Sequence, residues 1–395
     1  MRRRIIPLLS LALLVAGCAS APESRVPTSS ESPTPYHFSW IDMLSRKFGW
    51  ALGADHQTVY RTTNGVTWTA TAGRHIAPNR RWTVLQALSA SEAWYAFAAS
   101  GSAIGLYHTT DGGKHWTYHA VRFDYIPGLR GSDPLGGPVS ISFANPDDGW
   151  LMVAPEHGMS TQPGVLYRTR DGGTTWQVVA STYASGGEPS LPFSGDISFP
   201  GTRSGWLVGS QTSTSPRSLY RTTDGGSHWS KVAFRLPSGF DDNKWASVVA
   251  PPVFAGERGA MTVTLSGASG RAAWIYTSTD GGTAWHYLDG EDYTMAPPVV
   301  DIVAVAPHVV QFSFQPDNRL VVLLTGFAFA DGGSGLLSTN AGLLPRRYLG
   351  AGAEVSELDF ADRRYGWAII TDPAVASQPP VVLRTTDGGK EWSRI

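Results

Sequence analysis

A turn sequence of the form Ser/Thr-x-Asp-x-Gly-x-x-Trp recurs along this chain and strongly limits its possible folds. Its clearest copy is Leu-Tyr-Arg-Thr-Thr-Asp-Gly-Gly-Ser-His-Trp at residues 219–229. A repeat of roughly fifty residues indicates an array of similar supersecondary units. The Asp or Asn of the turn marks seven such units, at Asn64, Asp111, Asp171, Asp224, Asp280, Asn340 and Asp387.

Residues 139–180 show the content of one unit. Val139–Phe143 alternates apolar and polar residues, which is typical of a half-buried strand. Trp150–Ala154 and Val165–Thr169 are further strand-like runs, and Trp176–Val179 follows the repeated turn. Four short strands joined by turns predict one antiparallel sheet for each unit.

A second marker, a Gly-Trp or Ala-Trp pair, opens the second predicted strand of five units, and other pairs replace it in the remaining two. Both landmarks together predict an all-β fold, a seven-bladed β-propeller of four-stranded antiparallel blades. The sequence leaves open how the first and last blades meet. The tryptophans of these pairs are Trp50, Trp94, Trp150, Trp206 and Trp367.

The residue types of the repeated turn suit a structural role. An Asp side chain accepts hydrogen bonds from backbone N–H groups of a turn, and glycine adopts the positive φ that tight hairpins require. The tryptophan after the turn packs a large apolar surface against the sheet. We therefore interpret the seven Asp and Asn residues as structural, in preference to metal-binding or catalytic. The copy at Asn64 is one residue shorter, so its turn is expected to differ.

The N-terminus has the features of a bacterial lipoprotein signal peptide. Residues 2–4 are arginines, and residues 5–16 form an apolar stretch too short to be a comfortable transmembrane helix. Val-Ala-Gly-Cys at residues 15–18 resembles a lipobox, in which the signal is cut before a cysteine that becomes lipidated. Cys18 is the only cysteine of the chain, so it has no intramolecular disulfide partner. We predict lipidation at Cys18; an ordinary secretory signal with an incidental cysteine is the alternative.

Three segments follow from these features. Residues 1–17 are the predicted signal peptide, residues 18–36 are the lipidated cysteine and a disordered Ser/Pro-rich tether, and residues 37–395 are the propeller. The predicted location is the cell membrane, with the lipid-anchored domain facing the extracytoplasmic side.

Composition and motif spacing argue against several classes of function. Charged residues make up only 16% of the chain and the formal net charge is −1, which argues against a nucleic-acid partner. The ten histidines are scattered, and no Gly-x-Ser-x-Gly or phosphate-binding motif occurs. The acidic clusters lack the alternating ligand spacing of a calcium loop. We predict no metal, no cofactor and no catalytic residue.

The repeated turns resemble the Asp box, or bacterial neuraminidase repeat, of sialidases, sortilin-type receptors and several glycosidases. Gly205-Trp206 combined with Tyr-Arg-Thr-Thr-Asp-Gly-Gly-x-x-Trp at residues 220–229 is more similar to the photosystem II assembly and stability factor family. The resemblance covers residues 37–395 and implies a seven-bladed propeller, often lipid-anchored or lumenal, that chaperones membrane-protein assembly. Nothing in the sequence indicates photosynthesis. We therefore expect a non-enzymatic protein-interaction or assembly scaffold with an unknown protein partner.

That family is associated with an arginine patch. The residue three positions before the turn Asp is an arginine in four of the seven units. These arginines are a candidate patch, but we prefer the interpretation that each is a solvated side chain on an exposed outer strand that stacks on its neighbours. They are Arg61, Arg168, Arg221 and Arg384.

A carbohydrate-recognising propeller, sialidase-like or otherwise glycosidase-like, catalytic or lectin-like, is the alternative function. Sialidase chemistry requires three arginines at the substrate carboxylate, a tyrosine nucleophile helped by a glutamate, and an acidic Asp. The Arg-Ile-Pro motif of sialidases is missing, because the similar residues 4–7 lie in the predicted signal peptide. Glycan binding stays open as the alternative.

Binding is expected on the unrepeated loops. Adjacent strands run in opposite directions, so the Asp-box turns share one face and the blade-to-blade loops share the other. Loops on a rigid scaffold commonly carry binding residues, and Tyr and Trp are frequent anchors. The alternative, with equal weight, is that these aromatic side chains only hold the loops in place. The candidate partner-binding residues are Phe123, Tyr125, Tyr183, Phe240, Trp245, Asp292 and Tyr293.

Overall fold

Twenty-nine β-strands form the regular structure of the residues that the computed structural model describes. Among these residues, no helix has the length and apolar character needed to cross a membrane. Residues 1–35, which include Cys18 and nearly all of the predicted tether, lie outside them. The described residues are 36–71, 82–99, 103–122, 135–155, 162–184, 189–212, 214–237, 246–267, 270–287, 310–314, 320–328, 334–338, 342–343, 354–362, 364–371, 379–387 and 391–395.

The strands form seven antiparallel sheets, which we number 1 to 7 in chain order. Six of these sheets contain four strands each, paired in chain order. Sheets 1 to 3 are built from β1 Phe38–Asp42, β2 Gly49–Gly53, β3 Val59–Thr62, β4 Trp68–Ala70, β5 Thr83–Ala87, β6 Ala93–Ala98, β7 Ala103–Thr109, β8 Thr117–Arg122, β9 Leu135–Phe143, β10 Gly149–Pro155, β11 Val165–Thr169 and β12 Gln177–Ser181.

The fourth sheet is built from β13 Gly195–Ser198, β14 Gly205–Gly209, β15 Ser218–Thr222 and β16 Ser230–Lys231. Sheets 6 and 7 are built from β22 Val310–Phe314, β23 Leu320–Ala328, β24 Ser334–Ser338, β25 Gly342–Leu343, β26 Glu354–Phe360, β27 Gly366–Thr371, β28 Val381–Thr385 and β29 Ser393–Arg394. The all-β class and the four-stranded antiparallel blade are confirmed.

Sheet 5 departs from this pattern. Its first segment is divided into β17 Ser247–Val248 and β18 Val253–Ala255, and both pair with β19 Arg258–Gly267. Residues 251–252 between them are prolines, which have no N–H to donate to a ladder and interrupt a strand. The prediction of seven four-stranded blades is therefore wrong: the structure has six four-stranded blades and one five-stranded sheet. The remaining strands of sheet 5 are β20 Gly270–Ser278 and β21 His286–Tyr287.

The second strand is the most deeply buried strand of a sheet. Every residue of β2, β6 and β14 is buried, whereas the first strands β1, β5 and β13 mix buried and half-buried residues. Aromatic rings of adjacent sheets stack in the interfaces: Trp94 and Phe143 have ring centroids 3.8 Å apart, and Trp150 and Phe199 have centroids 3.9 Å apart. The core therefore consists of layers between sheets, so each sheet depends on its neighbours.

The first strands lie on the inside of the arrangement. Strand β5 contacts β9, β9 contacts β13, and β1 contacts β26, although each belongs to a different sheet. Each of these strands is also the edge strand of its own sheet. We call the space that these first strands surround the channel.

The tryptophan of the second strand hydrogen-bonds to the next sheet. The indole N–H of Trp94 donates to the carbonyl of Gly172 at 2.9 Å, and that of Trp150 donates to the carbonyl of Gly225 at 2.8 Å. Each acceptor is the glycine directly after the Asp of the next Asp-box turn. All five tryptophans of the Gly-Trp and Ala-Trp pairs are at most 1% exposed. A buried indole N–H needs an acceptor, so this bond helps to set the position of adjacent sheets.

The same glycine also joins two turns of its own sheet. The N–H of Gly172 donates to the carbonyl of Asp147 at 3.0 Å, and that of Gly225 donates to the carbonyl of Arg203 at 2.8 Å. Both acceptors lie between the first and second strands. The φ angles of the two glycines are +70° and +78°, in the left-handed region that favours glycine.

Side chains on the first strands bridge adjacent sheets inside the channel. The Phe143 N–H donates to Oε1 of Gln86 at 2.6 Å, and Nε2 of Gln86 donates to the Phe143 carbonyl at 3.2 Å. Between sheets 3 and 4, the Ser142 hydroxyl accepts the N–H of Phe199 at 2.8 Å. These side chains satisfy backbone groups that have no strand partner on the channel side.

Sheets 7 and 1 are joined by the same two kinds of contact. The indole N–H of Trp367 donates to the carbonyl of Gly65 at 3.1 Å, and the carboxylate of Asp359 accepts the N–H of Met43. Sheet 1 consists of β1 to β4 and sheet 7 of β26 to β29, so no strand is exchanged between them. The first and last sheets therefore meet through side-chain contacts, which the sequence alone did not predict.

Gly225→Ala is expected to destabilise the fold, because φ is +78° and a Cβ atom would lie 2.6 Å from Nη1 of Arg168. A non-glycine residue held in this region costs about 1–3 kcal/mol. Gly201→Ala is the matched control, since nothing lies within 4 Å of a Cβ built there. Urea unfolding measures both free energies of unfolding, and equal values for the two variants would contradict the prediction.

Candidate functional site

The two ends of the sheets carry different turns. In each four-stranded sheet, the first-to-second and third-to-fourth turns lie at the same end, where the Gly172 N–H reaches the Asp147 carbonyl. We call this end the box face. The second-to-third turns and the connections between sheets lie at the opposite end, which we call the loop face.

The Asp-box side chains bond within their own turns. Oδ1 of Asp111 accepts the backbone N–H of His115 and the hydroxyl of Thr109, both at 3.0 Å. The Thr109 oxygen in turn accepts the N–H of Gly113 at 2.9 Å. Four other turn carboxylates accept the same two bonds. One comes from the backbone N–H four positions later and the other from the hydroxyl of the Ser or Thr two positions before, at Asp171, Asp224, Asp280 and Asp387. Asn340 lies outside the described residues.

The shorter turn of sheet 1 has a different geometry. Oδ1 of Asn64 accepts the N–H groups of Val66 and Thr67 at 2.9 and 2.8 Å. The glycine N–H that bonds to Thr62 is that of Gly65, three residues after the threonine, whereas the other turns use the fourth residue. One glycine with positive φ is therefore sufficient here, whereas the turns at Asp111, Asp171, Asp224 and Asp280 use two.

Hydrogen bonding lowers the pKa of the turn carboxyl groups. The backbone N–H of His115, followed by its imidazole, lowers the pKa of Asp111 to about 2. The pKa of Asp280 is also lowered, first by the backbone N–H of Ala284. Because the turn stabilises the ionised form of its carboxylate, this group is poorly suited to exchange protons near neutral pH.

The four arginines of the candidate patch lie between sheets, and not on exposed outer strands as expected. Each is on a third strand and faces the tryptophan of the second strand across the ladder. The Arg168 guanidinium carbon is 4.6 Å from the centroid of the Trp150 ring, and Nη2 of Arg168 donates to Asp148 at 2.8 Å. Only 13% of the Arg168 side chain is exposed. The ladder pairs are Trp50–Arg61, Trp150–Arg168, Trp206–Arg221 and Trp367–Arg384.

Two of these arginines also bond to the following sheet. Nε of Arg61 donates to the carbonyl of Ala90 at 2.8 Å, and Nη1 of Arg221 donates to the Thr283 hydroxyl at 3.0 Å. A guanidinium stacked on an indole gains a cation–π contribution where it is partly desolvated. The expected stacking on neighbours is therefore observed, and the arginines contribute to the interfaces. A binding role for them stays a prediction.

Tyr183 is the one candidate loop residue in the described part of the chain. It packs against the apolar cluster between sheets 2 and 3, and its N–H donates to the Ser181 hydroxyl at 3.0 Å. This packing fits the alternative in which the aromatic side chain holds its loop in place. The other six candidates lie outside the described residues and stay predictions: Phe123, Tyr125, Phe240, Trp245, Asp292 and Tyr293.

A cavity of about 310 Å³ lies at the first strands of sheets 1 to 3. We call it the channel pocket. It is lined by residues 39–40, 83–85 and 139–141 of the first strands and by Leu52 and His56 near the end of β2. Sequence reasoning missed it because no motif marks it. The position of the three segments relative to the repeats could have indicated it, since each segment lies nine to eleven residues before the tryptophan on the second strand of its own sheet.

The loop-face end of this pocket carries a strained residue. His56 has a φ of 54° and is the one non-glycine residue with a positive φ in the described part of the chain. Its carbonyl accepts the hydroxyl of Tyr95 at 2.7 Å, and its N–H donates to the carbonyl of Gly53 at 2.8 Å. Burial raises the pKa of the Tyr95 hydroxyl, which therefore keeps its proton for this bond. Strained backbone of this kind is concentrated at functional sites.

Two of the first strands carry acidic residues with a raised pKa. Burial raises the pKa of Asp42 to about 6 and that of Glu357 to about 7, and these residues lie on the first strands of sheets 1 and 7. No Lys, Arg, Asp or Glu is among the residues that line the channel pocket. No group of three or more His, Cys, Asp or Glu side chains in the described ranges is arranged to hold a metal ion.

The chain is similar in sequence to a known assembly factor. No protein-family model matches the chain. The photosystem II stability/assembly factor HCF136 of Arabidopsis thaliana is 28% identical over 265 residues, which cover 58% of this chain and 62% of that protein. This chain thus spans less than two-thirds of the relative's length. The resemblance to the photosystem II assembly and stability factor family is confirmed.

Two solved structures of low sequence identity are similar to this chain. YCF48 bound to a D1 peptide is 18% identical, with a TM-score of 0.43, and the match covers 92% of this chain and 81% of YCF48. An ulvan lyase, a polysaccharide lyase, is 11% identical, with a TM-score of 0.50, and the match covers 78% and 80% of the two chains. At 11% identity, the ulvan lyase match indicates fold and not activity.

Asp111→Asn tests the contribution of an ionised turn carboxylate. The folded-state pKa of about 2 lies below the ordinary value of 3.8, so ionisation stabilises the fold above about pH 4 and this contribution is lost as the pH falls toward 2. We expect the stability difference between the parent and Asp111→Asn to be largest above about pH 4 and to shrink below it. Denaturant unfolding between about pH 6 and 2.5 measures this difference. Lys114→Ala, in the same turn, is the control; a difference that grows on acidification would contradict the prediction.

Proposed function

We propose that this chain is a lipid-anchored, non-enzymatic scaffold that binds another protein on the extracytoplasmic side of a membrane. The observation that carries the proposal is the 28% identity over 265 residues to a photosystem II stability/assembly factor. The proposed anchor is Cys18, and the proposed location rests on the lipobox-like residues 15–18. The scaffold role is proposed without a photosynthetic partner.

The structural contacts of the recurring polar residues support a non-enzymatic function. The Asp-box carboxylates bond to the N–H groups of their own turns, and the arginines stack on tryptophans between sheets. These residues therefore hold the sheets together. The surfaces that differ from one sheet to the next, which are the loops and the channel, are left for recognition. With a formal net charge of −1, a protein partner fits better than a nucleic acid.

Cys18→Ser is expected to release the protein from the membrane fraction into the soluble extracytoplasmic fraction, because it removes the proposed attachment site of the lipid chains. Cell fractionation and metabolic labelling with a fatty acid measure this change. Ser20→Ala, two residues away, is the control and should stay membrane-bound and labelled. A parent protein that takes up no label would refute the lipid anchor.

Trp245→Ala combined with Tyr293→Ala is expected to abolish crosslinking to a protein partner in intact cells. Aromatic anchors of an interface each contribute about 2 kcal/mol or more to binding, and loop positions leave the fold intact. Crosslinking followed by mass spectrometry measures partner recovery, and circular dichroism checks folding. Tyr118→Ala, on the outer strand β8 with 47% exposure, is the control.

Three outcomes of that experiment decide the proposal. Loss of the partner with the double variant alone supports the loop face as the binding surface. Full retention of the partner shows that these loops are not the site. If the parent crosslinks to no protein but binds or turns over sugars on a glycan array, the scaffold function is wrong and the carbohydrate alternative replaces it.

A further inference from the structure

The channel pocket lies where the bridging pattern between first strands is interrupted. Between sheets 3 and 4, the Ser140 hydroxyl accepts the N–H of Ile197 at 3.1 Å and donates to its carbonyl at 3.4 Å. Ile141 in sheet 3 and Leu85 in sheet 2 hold the same register as Ile197, since each pairs with the residue ten positions later. The N–H and C=O groups of Ile141 and Leu85 therefore also face the channel.

The side chains at the bridging position cannot reproduce this pattern. The residue equivalent to Ser140, ten positions before the tryptophan of the second strand, is Val84 in sheet 2 and Trp40 in sheet 1. Valine has no polar atom, and an indole offers a donor but no acceptor. Within the described residues, no side chain hydrogen-bonds to the backbone of Leu85 or Ile141. Because backbone polar groups require partners, these are left for water or a ligand.

The side chains that line the pocket disfavour charged ligands. Val84, Val139 and Leu85 form aliphatic walls, and no Lys, Arg, Asp or Glu lines the cavity. An ion would be desolvated without a counter-charge. Four of the ten lining residues are polar, namely Ser39, His56, Thr83 and Ser140, so an uncharged ligand also finds hydrogen-bonding groups between the aliphatic side chains. The lining therefore fits an uncharged ligand with an apolar side chain and a few polar groups at fixed positions.

Donors without partners lie beside these walls. The indole N–H of Trp40 and the ring of His56 make no hydrogen bond within the described part of the chain. The register of β1 changes between Phe38 and Trp40, which is a β-bulge, and His56 has its φ of 54° at the same end of the pocket. Bulges and strained residues are both over-represented beside binding sites, where they redirect side chains.

We propose that the channel pocket receives an extended, uncharged polypeptide segment. Its backbone bonds to the free N–H and C=O groups of Leu85 and Ile141, and an aliphatic side chain lies against Val84 and Val139. Peptides commonly add to free strand edges in this way, with backbone bonds giving affinity and a side-chain pocket giving selectivity. A volume of about 310 Å³ corresponds to roughly ten water molecules, which limits the occupant to a short stretch of chain. The inference rests on the proposed function, because the segment belongs to the protein partner.

Val84→Ser tests the inference by supplying the missing bridge. Its hydroxyl is placed as that of Ser140 is, so it is expected to bond to Ile141 and to remove part of the apolar wall. The probe is the acetylated and amidated peptide Gly-Gly-Leu-Val-Gly-Gly, and ligand-observed NMR measures its affinity. We expect Val84→Ser to weaken binding about tenfold. Val178→Ser, at a 46% exposed position on the outer strand β12, is the matched control and should bind as the parent does.

His56→Gly is a second variant, which is expected to weaken binding without lowering stability. Glycine adopts a φ of 54° without strain, so the thermal unfolding temperature should be unchanged or higher. Loss of the imidazole should weaken peptide binding severalfold. The corresponding peptides with Asp-Asp or Lys-Lys in place of Leu-Val should not bind to the parent.

The remaining outcomes separate failure of the pocket from failure of the proposed function. The pocket is overturned if the parent does not bind the Leu-Val peptide, if both variants bind it as the parent does, or if Val84→Ser instead abolishes binding of a neutral disaccharide such as cellobiose. In those cases, a partner that still crosslinks to the parent in cells leaves the scaffold function standing. A parent that crosslinks to no protein overturns the scaffold function, whatever the peptide result.

Discussion

The hydrogen bond from a buried indole to a glycine carbonyl of the next Asp-box turn is the contact on which the arrangement of sheets depends. The carbonyl is held in place because the same turn is fixed by its Asp and Thr side chains and by the glycine N–H bond to its own sheet. At Trp150, Arg168 stacks over the indole and occupies space next to Gly225, where a Cβ would collide. At Trp94, the imidazole of His108 stacks on the indole instead. The recurring Trp, Asp and Gly thus meet a single structural requirement, and an arginine adds to it in some of the sheets. The observed bonds run from Trp94 to Gly172, from Trp150 to Gly225 and from Trp367 to Gly65.

The first strands add a second, less regular set of contacts. Gln86, Ser142 and Asp359 stand eight residues before the tryptophan of their own second strand, and each binds the backbone N–H of the next sheet's first strand or the residue after it. Because any side chain with an acceptor can make this bond, the residue type varies. Ser140, ten residues before its tryptophan, makes a similar bond to Ile197. Where the residue at that second position is apolar, as at Val84, the backbone of the next strand has no such partner. The recurring residues therefore hold the sheets together, and the exceptions on the first strands leave groups available for binding.

Local patterns were sufficient to predict most strands. The four strands predicted in residues 139–180 correspond to β9, β10, β11 and β12, because alternation and turn residues are local signals. The extra strand of sheet 5 has no local signal, since the prolines at residues 251–252 interrupt the segment and the short runs on either side carry too few residues for a periodic pattern. The position of the arginines depends on their register opposite the tryptophans, which periodicity alone does not determine.

The channel pocket is even harder to predict from local sequence patterns. Its walls come from strands of three sheets, and the bridge whose absence defines it joins residues 57 positions apart where it is present, as between Ser140 and Ile197. No local pattern contains that relation, but alignment of the repeats on their tryptophans does, because it places Trp40, Val84 and Ser140 at one position. Repetition therefore carries functional information at the positions where one residue departs from the pattern that its equivalents satisfy.

The channel pocket and the variable loops of the loop face would complement each other in a scaffold. The pocket walls belong to interlocked sheets, so little conformational freedom is lost when a ligand binds there. A short uncharged segment buries little area, however, and its affinity alone would be modest. Loops near the loop-face end of the channel would add a second contact to the same partner, and two linked contacts bind much more tightly than either alone. Selectivity for sequence would then lie in the pocket, and most of the affinity would lie in the loops.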